Sequence, residues 1–417
     1  MTYPEALQYF DSFLNYEQTL AYRYPEAFSL ERVQDFLRRL GDPQGRYPTL
    51  HVAGTKGKGS TCAFAASILQ AAGVKTGLYT SPHLFSIRER FQINGTWISE
   101  QEMAEVVEQV RRMAPGKELT YFEVTTACAF LHFARANVDA AVVEVGLGGR
   151  LDATNVLLPE AAAITPISFD HMDKLGNTLA EIAREKAGIL KAGVPTVVAP
   201  QWPEAMEVIE RVAKEVGAPL HRIEQEVPPK IQVPLLGRHQ RINAATAIRL
   251  VELSAEKSSV SRIGEEAVRR GIAQTQWPGR CQLIEGTPPF LLDGAQNTES
   301  ARVLKETVQE LFPDRPVCLV VGASADKDLE GIARVWGPWA KQIILTRAEH
   351  PRAAPLENLR QAFSPYSGVI QEALSVEEAL RFARSKSGLE ELVVVSGSLF
   401  VVAEAIAHLT SATPSRT

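Results

Sequence analysis

Short apolar runs alternate with helix-like stretches along almost the whole chain. This alternation is typical of parallel β-sheets that carry helices on both faces, so the sequence predicts a doubly wound α/β fold. The predicted strands are Thr49–Ala53, Thr76–Tyr79, 140–145, 161–167, 196–199, Phe290–Leu292, Val317–Val321, Gln342–Leu345 and 392–395.

Two of the predicted helices have recognisable ends. Residues 60–72 are followed by Gly73, and glycine commonly terminates helices because it adopts a left-handed conformation without strain. Thr178 stands three residues before Glu181, the spacing of a capping box, and predicts the start of a helix over 178–190.

The domain boundary is predicted near Pro278 and Gly279, where two backbone-restricting residues interrupt the strand–helix alternation. A new alternation then continues towards the C-terminus. We therefore divide the chain into a P-loop domain over residues 1–281 and a smaller Rossmann-like α/β domain over residues 282–417.

Composition excludes several classes of protein. Lysine and arginine total 44 against 49 aspartates and glutamates, a net charge of −5, which gives no broad positive surface for nucleic acid or an anionic membrane. The cysteines are too scattered for a zinc site or a disulfide framework. No leader segment or apolar stretch of about 18 residues is present, so we expect a cytoplasmic protein with buried thiols at Cys62, Cys128, Cys281 and Cys318.

A glycine-rich loop joins the first predicted strand to a helix. Such a loop can turn its backbone N–H groups towards one point at a helix N-terminus, which predicts a phosphate-binding site. Lys58 would reach the outer phosphates, and the hydroxyls of Ser60 and Thr61 would lie near a bound metal. The spacing is shorter than that of the usual P-loop, and a flexible turn without a ligand is the alternative. The loop consists of Gly54, Thr55, Lys56, Gly57, Lys58, Gly59, Ser60 and Thr61.

Polar residues follow two further strands. Glu144 lies near the carboxyl end of the strand over 140–145 and precedes a glycine-rich segment, while Asp170 and His171 follow the strand over 161–167. Ligands bind at this edge of open α/β sheets, where an acid or an imidazole can hold a metal. Each residue has a structural alternative. Glu144 could pair with a surface lysine or arginine, and His171 could be a structural histidine. Lys186, in the helix that follows, could belong to a solvated helix face.

Several long motifs, in the right order, resemble the folylpolyglutamate synthase/dihydrofolate synthase family of the Mur ligase superfamily. This resemblance spans nearly the whole chain and implies an ATP-binding first domain and a glutamate ligase second domain. The matching segments are 51–60 (HVAGTKGKGS), 80–84 (TSPHL), 144–155 (EVGLGGRLDATN), 184–189 (REKAGI), 237–244, 277–280, 292–295 and 396–399.

The resemblance implies roles for individual residues. It places magnesium ligands at Ser81, Glu144 and His171, and ATP contacts on the glycine-rich loop. It further implies two Mg²⁺ ions, a carbamylated Lys186 that would act as an anionic metal ligand, and a monovalent cation. The remaining implied contacts are Asn243, Arg280 and Asp293 for ATP, and Thr120, Tyr121, Phe122, Glu123, Leu151, Asp152 and Ala153 for the pterin substrate.

The implied activity is ATP-dependent addition of L-glutamate to folates, and to dihydropteroate, through an acyl phosphate. Lys58, His171 and Lys186 would be the catalytic residues, and the enzyme would be a monomer with small-molecule partners only.

Two positions depart from the common pattern: Lys56 stands where many members have Asn, and Gln296 where many have His. Glutamine can donate and accept hydrogen bonds but carries no charge near neutral pH.

Two alternative functions belong to other groups of proteins. One is a Mur-type ligase that adds an amino acid to a cell-wall precursor. The other is a P-loop switch or transport ATPase, although the chain lacks the Asn/Thr-Lys-x-Asp motif for guanine and the Leu-Ser-Gly-Gly-Gln motif of transporters.

Overall fold

The computed structural model describes residues 1–17, 28–114, 119–257, 263–366 and 368–411. The chain forms two compact units. The first contains Met1–Pro234 and His239–Gln276, and the second contains Leu235–Arg238 and Trp277–Thr417. The boundary predicted after residue 281 falls shortly beyond Gln276.

The first unit is built on a mixed sheet of eight strands within the described residues, in the order β4-β3-β2-β5-β1-β6-β7-β8. Strand β3 pairs antiparallel with both β2 and β4, and the remaining pairs of neighbouring strands are parallel. The strands are β1 (Thr49–Ala53), β2 (Thr76–Tyr79), β3 (Phe91–Ile93), β4 (Thr96–Trp97), β5 (Ala140–Glu144), β6 (Ala161–Ile164), β7 (Thr196–Val198) and β8 (Leu220–Arg222).

Helices cover both faces of this sheet. They are α1 (Tyr3–Asp11), α2 (Leu30–Arg39), α3 (Lys58–Ala71), α4 (Glu100–Met113), α5 (Tyr121–Arg135), α6 (Met172–Leu175), α7 (Leu179–Ala187), α8 (Pro203–Val216), α9 (Arg238–Lys257) and α10 (Glu265–Gln274). Short 3₁₀ turns occur at Pro43–Gly45, Ile87–Arg90 and Ala153–Val156.

Strand β1 lies at the centre of the sheet, between β5 and β6, and every residue in it is buried. A strand covered on both faces favours apolar side chains on both, and β1 has Leu50, Val52 and Ala53, with Thr49 and His51 as buried polar residues. One hydrophobic cluster joins residues of α1, α2, α4 and α5, and another joins residues of α7 and α8. Because β1, β2, β5 and β6 pair parallel, their carboxyl ends lie along one edge of the sheet.

The second unit has its own sheet, in the order β13-β12-β11-β14-β10-β9 within the described residues, with only β9 antiparallel to its neighbour. Its strands are β9 (Gln282–Ile284), β10 (Phe290–Leu292), β11 (Val317–Val321), β12 (Gln342–Leu345), β13 (Val369–Glu372) and β14 (Leu392–Ser396). Its helices are α11 (Thr298–Leu311), α12 (Leu329–Trp336), α13 (Leu356–Phe363), α14 (Val376–Lys386) and α15 (Leu399–Ser411).

The doubly wound fold predicted from the sequence is confirmed, with corrections at several element ends. Strand β6 ends at Ile164 rather than at residue 167, because Pro166 has no N–H group to donate to a neighbouring strand. Helix α7 ends at Ala187 rather than at residue 190. Its N-terminus is as predicted, since Thr178 and Glu181 form the capping box.

The four cysteines are buried and free, as the sequence predicted. Within the part of the chain that the structure describes, none of the helices combines the length and the apolar character that crossing a membrane requires.

Candidate active site

The glycine-rich loop leaves the carboxyl end of β1 and is anchored to the segment after β6. Gly54 has a φ of +145°, and a Cβ atom there would lie 1.9 Å from Oγ1 of Thr165, so only glycine fits. The backbone N–H groups of Thr55 and Lys56 both donate to the carbonyl of Pro166, each at 3.1 Å. The first half of the loop is therefore held by backbone contacts.

The second half of the loop enters helix α3. Gly57 is the N-cap residue, with a φ of +85°, and Lys58, Gly59 and Ser60 form the first turn. The first N–H groups of a helix have no acceptor within it, and together with the helix dipole they attract an anion. This geometry suits the phosphate site that the sequence predicts, which stays a prediction.

Asn243 of α9 packs directly against the loop. A Cβ atom on Gly57 would lie 2.3 Å from Asn243 Oδ1. Asn243 is itself buried, and its side-chain amide donates to Gln240 Oε1 at 3.0 Å. The structure thus brings a residue far along the chain to the predicted ATP site.

Two predicted metal ligands, Ser81 and Glu144, contact each other at the ends of neighbouring strands, and Glu144 also lies near Lys58. Glu144 ends β5, and its Oε1 lies 4.0 Å from Nζ of Lys58. Its Oε2 accepts a hydrogen bond from the backbone N–H of Ser81, just beyond β2, at 3.2 Å. Thr61, by contrast, is fully buried, and its hydroxyl has no hydrogen-bond partner in the described part of the chain.

The third predicted metal ligand, His171, lies in the turn after β6. It has a φ of +50° at the N-cap position of α6, and its side chain is 43% exposed. Its neighbour Asp170 forms an ion pair with Lys56 at 2.7 Å, and Thr55 Oγ1 donates to the carbonyl of Ser168 at 3.2 Å. These contacts connect the turn that carries His171 to the phosphate loop.

Lys186 of α7 lies beneath the same loop. Its Nζ donates to the carbonyl of Gly54 at 2.9 Å, and the residue is only 4% exposed. Burial, followed by repulsion from Lys58, lowers the pKa of Lys186 to about 7. This environment favours the neutral form of the amine, which is the nucleophilic form.

The protein side chains at this site suit magnesium only if a bound nucleotide supplies further oxygen ligands. Among the described residues, no three His, Cys, Asp or Glu side chains cluster closely enough to bind a metal by themselves. The buried carboxylate of Glu144 beside Ser81, facing a phosphate site, offers the oxygen ligands that Mg²⁺ prefers, and Mg²⁺ usually completes its coordination with phosphates and water. The residues therefore fit a metal that arrives with a nucleotide.

The two stretches predicted to bind a pterin lie together. Thr120 and Glu123 form a capping box at the start of α5. Phe122 covers the start of the glycine-rich segment after β5, because a Cβ atom on Gly146 would lie 2.4 Å from Phe122 Cζ. Tyr121 and Ala153 belong to one hydrophobic cluster. Of the other two residues, Leu151 is half-buried and Asp152 is buried.

A buried arginine, which the sequence analysis missed, joins this region to the Ser81 segment. Arg90 is 1% exposed and forms two hydrogen bonds to Glu17, at 2.7 and 2.6 Å. Its Nε donates to Nδ1 of His83 at 3.0 Å, and its guanidinium lies 5.5 Å from the ring centroid of Tyr121. Burial and Arg90 lower the pKa of His83 to about 4. A buried arginine has no distinguishing sequence pattern.

In the second unit, the two predicted ATP contacts lie in segments that contact each other, Arg280 before β9 and Asp293 after β10. Asp293 follows β10, and its carboxylate accepts from the N–H groups of Cys281 and Ala295, each at 2.9 Å. A Cβ atom on Gly294 would lie 2.5 Å from Nη1 of Arg280. Gln296 donates its N–H to Ser300 Oγ at the start of α11.

Family comparisons agree with this architecture. The Mur ligase middle domain matches residues 52–221, and the Mur ligase glutamate ligase domain matches residues 279–399. The dihydrofolate synthase/folylpolyglutamate synthase of Bacillus subtilis is 37% identical over 406 residues, covering 90% of this chain and 93% of that protein. The chain belongs to the folylpolyglutamate synthase/dihydrofolate synthase family.

Solved structures give the same assignment. Escherichia coli FolC in complex with DHPP and ADP has a TM-score of 0.87 and 31% identity, covering 99% of this chain and 98% of that one. The bifunctional enzyme of Yersinia pestis, complexed with AMPPNP and a Mn ion, has a TM-score of 0.86 and 32% identity, covering 98% of each chain. The predicted family is confirmed, and the comparisons do not support the cell-wall ligase alternative.

Proposed function

We propose that this chain is an ADP-forming ligase that uses ATP to add L-glutamate to folates and to dihydropteroate. The observation that carries the proposal is the site at the carboxyl edge of the first sheet, where the phosphate loop places Lys58 beside Glu144. Relatives over nearly the whole chain bear the names of these two activities.

The reaction needs activation of an acid. A free carboxylate is a poor electrophile, so one of its oxygens attacks the γ-phosphorus of ATP, and the bond to the β–γ bridging oxygen breaks to release ADP. The amino group of L-glutamate then attacks the carbonyl carbon of the acyl phosphate. Phosphate leaves and the nitrogen loses a proton, which gives the amide.

The protein contributes positioning and charge neutralisation. The N–H groups at the start of α3 would hold phosphate oxygens, and Lys58 would offset the charge on the group being transferred. Ser81, Glu144 and His171 would hold Mg²⁺, which supplies Lewis-acid stabilisation of phosphate charge when bound. Asn243, Arg280 and Asp293 would contact the nucleotide.

Lys186 is proposed to carry a carbamate. Its neutral amine would attack CO₂, forming an N–C bond and releasing one proton to solvent, which leaves an anionic group beside the phosphate loop. Support comes from its burial, its pKa of about 7 and its contact with Gly54. A carbamate oxygen could then serve a second Mg²⁺, while a monovalent cation would be a further component of the site.

The pteroyl acid is proposed to bind between the start of α5 and the segment after β5. Phe122 and Tyr121 offer aromatic faces for a pterin ring, and Leu151, Asp152 and Ala153 lie in the opposing segment. The packing of Phe122 over Gly146 supports this arrangement. We further propose that the enzyme acts in the cytoplasm as a monomer and binds no nucleic acid.

The test is ADP formation by the purified protein. We expect release of ADP that depends on both L-glutamate and a pteroyl acid, with dihydropteroate and tetrahydrofolate assayed side by side. A nucleotide-linked muramyl substrate is the control for the cell-wall alternative. ADP formation without any acceptor, or only with the muramyl substrate, would contradict the proposal.

A further inference from the structure

Three buried side chains form a continuous line of hydrogen bonds between β1 and the segment after β5. Nε2 of His51 lies 2.8 Å from Oγ1 of Thr154, and that hydroxyl donates to Oδ1 of Asp152 at 2.5 Å. His51 and Thr154 are fully buried, and Asp152 is 4% exposed. Solvent therefore does not compete with these bonds.

The direction of each proton follows from the chemistry of the groups. A carboxylate only accepts, so the single O–H of Thr154 is committed to Asp152. The Thr154 oxygen must then accept from His51, which places the imidazole proton on Nε2. Nδ1 of His51 is buried and has no hydrogen-bond partner within the described ranges, as expected for a neutral ring that carries no proton there.

Asp152 also organises the backbone around it. Its Oδ1 accepts from the N–H of Thr154 at 3.0 Å, and its Oδ2 accepts from the N–H of Leu147 at 2.9 Å. The Asp152 carboxylate thus holds both ends of the segment 147–154. The hydroxyl of Thr154 in turn holds the carboxylate in position.

We propose that His51 and Thr154 are positioning residues that fix Asp152, and with it the segment 147–154, in the conformation that receives the pteroyl acid. This inference rests on the proposed function, which places Leu151, Asp152 and Ala153 at the acid substrate. His51 and Thr154 act from behind the site. His51 belongs to the strand that leads into the phosphate loop, so the same strand supports both substrates.

Thr154 offers a matched pair of substitutions. Thr154→Val keeps the shape and removes the hydroxyl, whereas Thr154→Ser keeps the hydroxyl. A lost hydrogen bond to a buried carboxylate should raise KM for the pteroyl acid about tenfold or more in Thr154→Val, with KM for ATP and kcat within about twofold of wild type. Thr154→Ser should stay close to wild type in all three constants.

His51 gives an independent pair and a spectroscopic readout. His51→Gln retains an N–H donor and should bind the pteroyl acid better than His51→Leu. In the wild-type protein, the ¹⁵N chemical shifts of His51 should show a protonated Nε2 and an unprotonated Nδ1. A proton on Nδ1 overturns the inference, and this measurement does not depend on the folding of any variant.

The outcomes separate the two proposals. A wild-type protein that forms no ADP in response to a pteroyl acid and glutamate overturns the proposed function. An active wild-type protein, together with a folded Thr154→Val variant that keeps the wild-type KM for the pteroyl acid, overturns only the positioning role of His51 and Thr154. Circular dichroism establishes that each variant is folded.

Discussion

Gly57 and Asn243 are in such close contact that no side chain fits between them. A Cβ atom on residue 57 would lie only 2.3 Å from Asn243 Oδ1, and the left-handed φ of Gly57 would add backbone strain for any other residue. Residues about 190 positions apart in the chain thus define one wall of the phosphate loop.

Substitution of Gly57 should therefore abolish nucleotide use. In Gly57→Ala the loop must shift away from Asn243, and we expect ATP-dependent turnover to fall by about a hundredfold or more, since phosphate positioning supplies most of the catalysis. Steady-state kinetics measures this.

Gly73→Ala is the matched control for Gly57→Ala. Gly73 has the same φ of +85°, but a Cβ atom there would meet nothing within 4 Å. Gly73→Ala should lower the free energy of unfolding by about 1 kcal/mol through backbone strain and leave turnover normal. Equal loss of activity in both variants would show that backbone strain, rather than the contact with Asn243, is decisive.

Removal of the Lys58 amine should slow the chemical step. Nζ of Lys58 lies 4.0 Å from Glu144, and Lys58→Ala should reduce kcat by about a hundredfold or more because the transferring phosphoryl group loses a charge contact. The control is Lys75→Ala, whose amine lies at the surface and contacts only the carbonyl of Ala136 among the hydrogen bonds described. Near-normal turnover in Lys58→Ala would refute the role assigned to the loop.

Chemical rescue can separate a carbamate from an ammonium at position 186. Lys186→Ala should lose most activity, and short carboxylic acids such as acetate should restore part of it by supplying the missing anion. Ethylamine, which would replace an ammonium group, should not rescue. Recovery with ethylamine alone would favour an unmodified lysine that hydrogen-bonds to Gly54.

The pair between Glu17 and Arg90 should contribute strongly to stability. In Glu17→Gln the fully buried guanidinium loses its counter-charge, and we expect the free energy of unfolding to fall by about 3 kcal/mol. Glu105→Gln is the control, because its partner Arg135 is exposed and surface pairs contribute roughly 0 to 1 kcal/mol. Equal urea midpoints for the two variants would contradict this estimate.

Much of this architecture is encoded locally. The runs that form β1, β2, β10, β11 and β12 end where their mainly apolar patterns end, because strands buried on both faces are rich in apolar residues. The hairpin of β3 and β4 escaped the analysis although Asn94 and Gly95, both with positive φ, provide a strong hairpin signal. Its strands are short and partly exposed, so their apolar pattern is weak.

Site residues could be predicted from the sequence only where they lie within one recognisable motif. The phosphate loop, Glu144 and Lys186 lie in motifs, and the strand order then brings them together. The contacts of Gly54 with Thr165, of Asn243 with Gly57 and of Arg90 with Glu17 depend on distant segments. No local periodicity encodes such contacts, so only the folded chain reveals them.

Acid should destabilise the protein partly through His51. Burial, together with the nearby Lys191, lowers the pKa of His51 to about 3, whereas an unfolded histidine titrates near 6.5. Between these values the unfolded chain binds a proton that the folded chain does not, so the free energy of unfolding falls as the pH falls from about 6.5 to about 3. This one group adds a slope of up to about 1.4 kcal/mol per pH unit. Above pH 6.5 its contribution is constant.

The His51→Gln variant isolates this effect, because glutamine does not titrate. The difference in unfolding free energy between wild type and His51→Gln, measured by urea titration at several pH values, should be flat above pH 6.5. Below that pH, the unfolding free energy of wild type should fall steadily relative to that of His51→Gln. Since His83 and His132 also have lowered pKa values, both proteins will lose stability in acid, and only the difference between them reports on His51. A difference that stays constant down to pH 4 would mean that His51 takes up a proton in the fold as readily as in the unfolded chain.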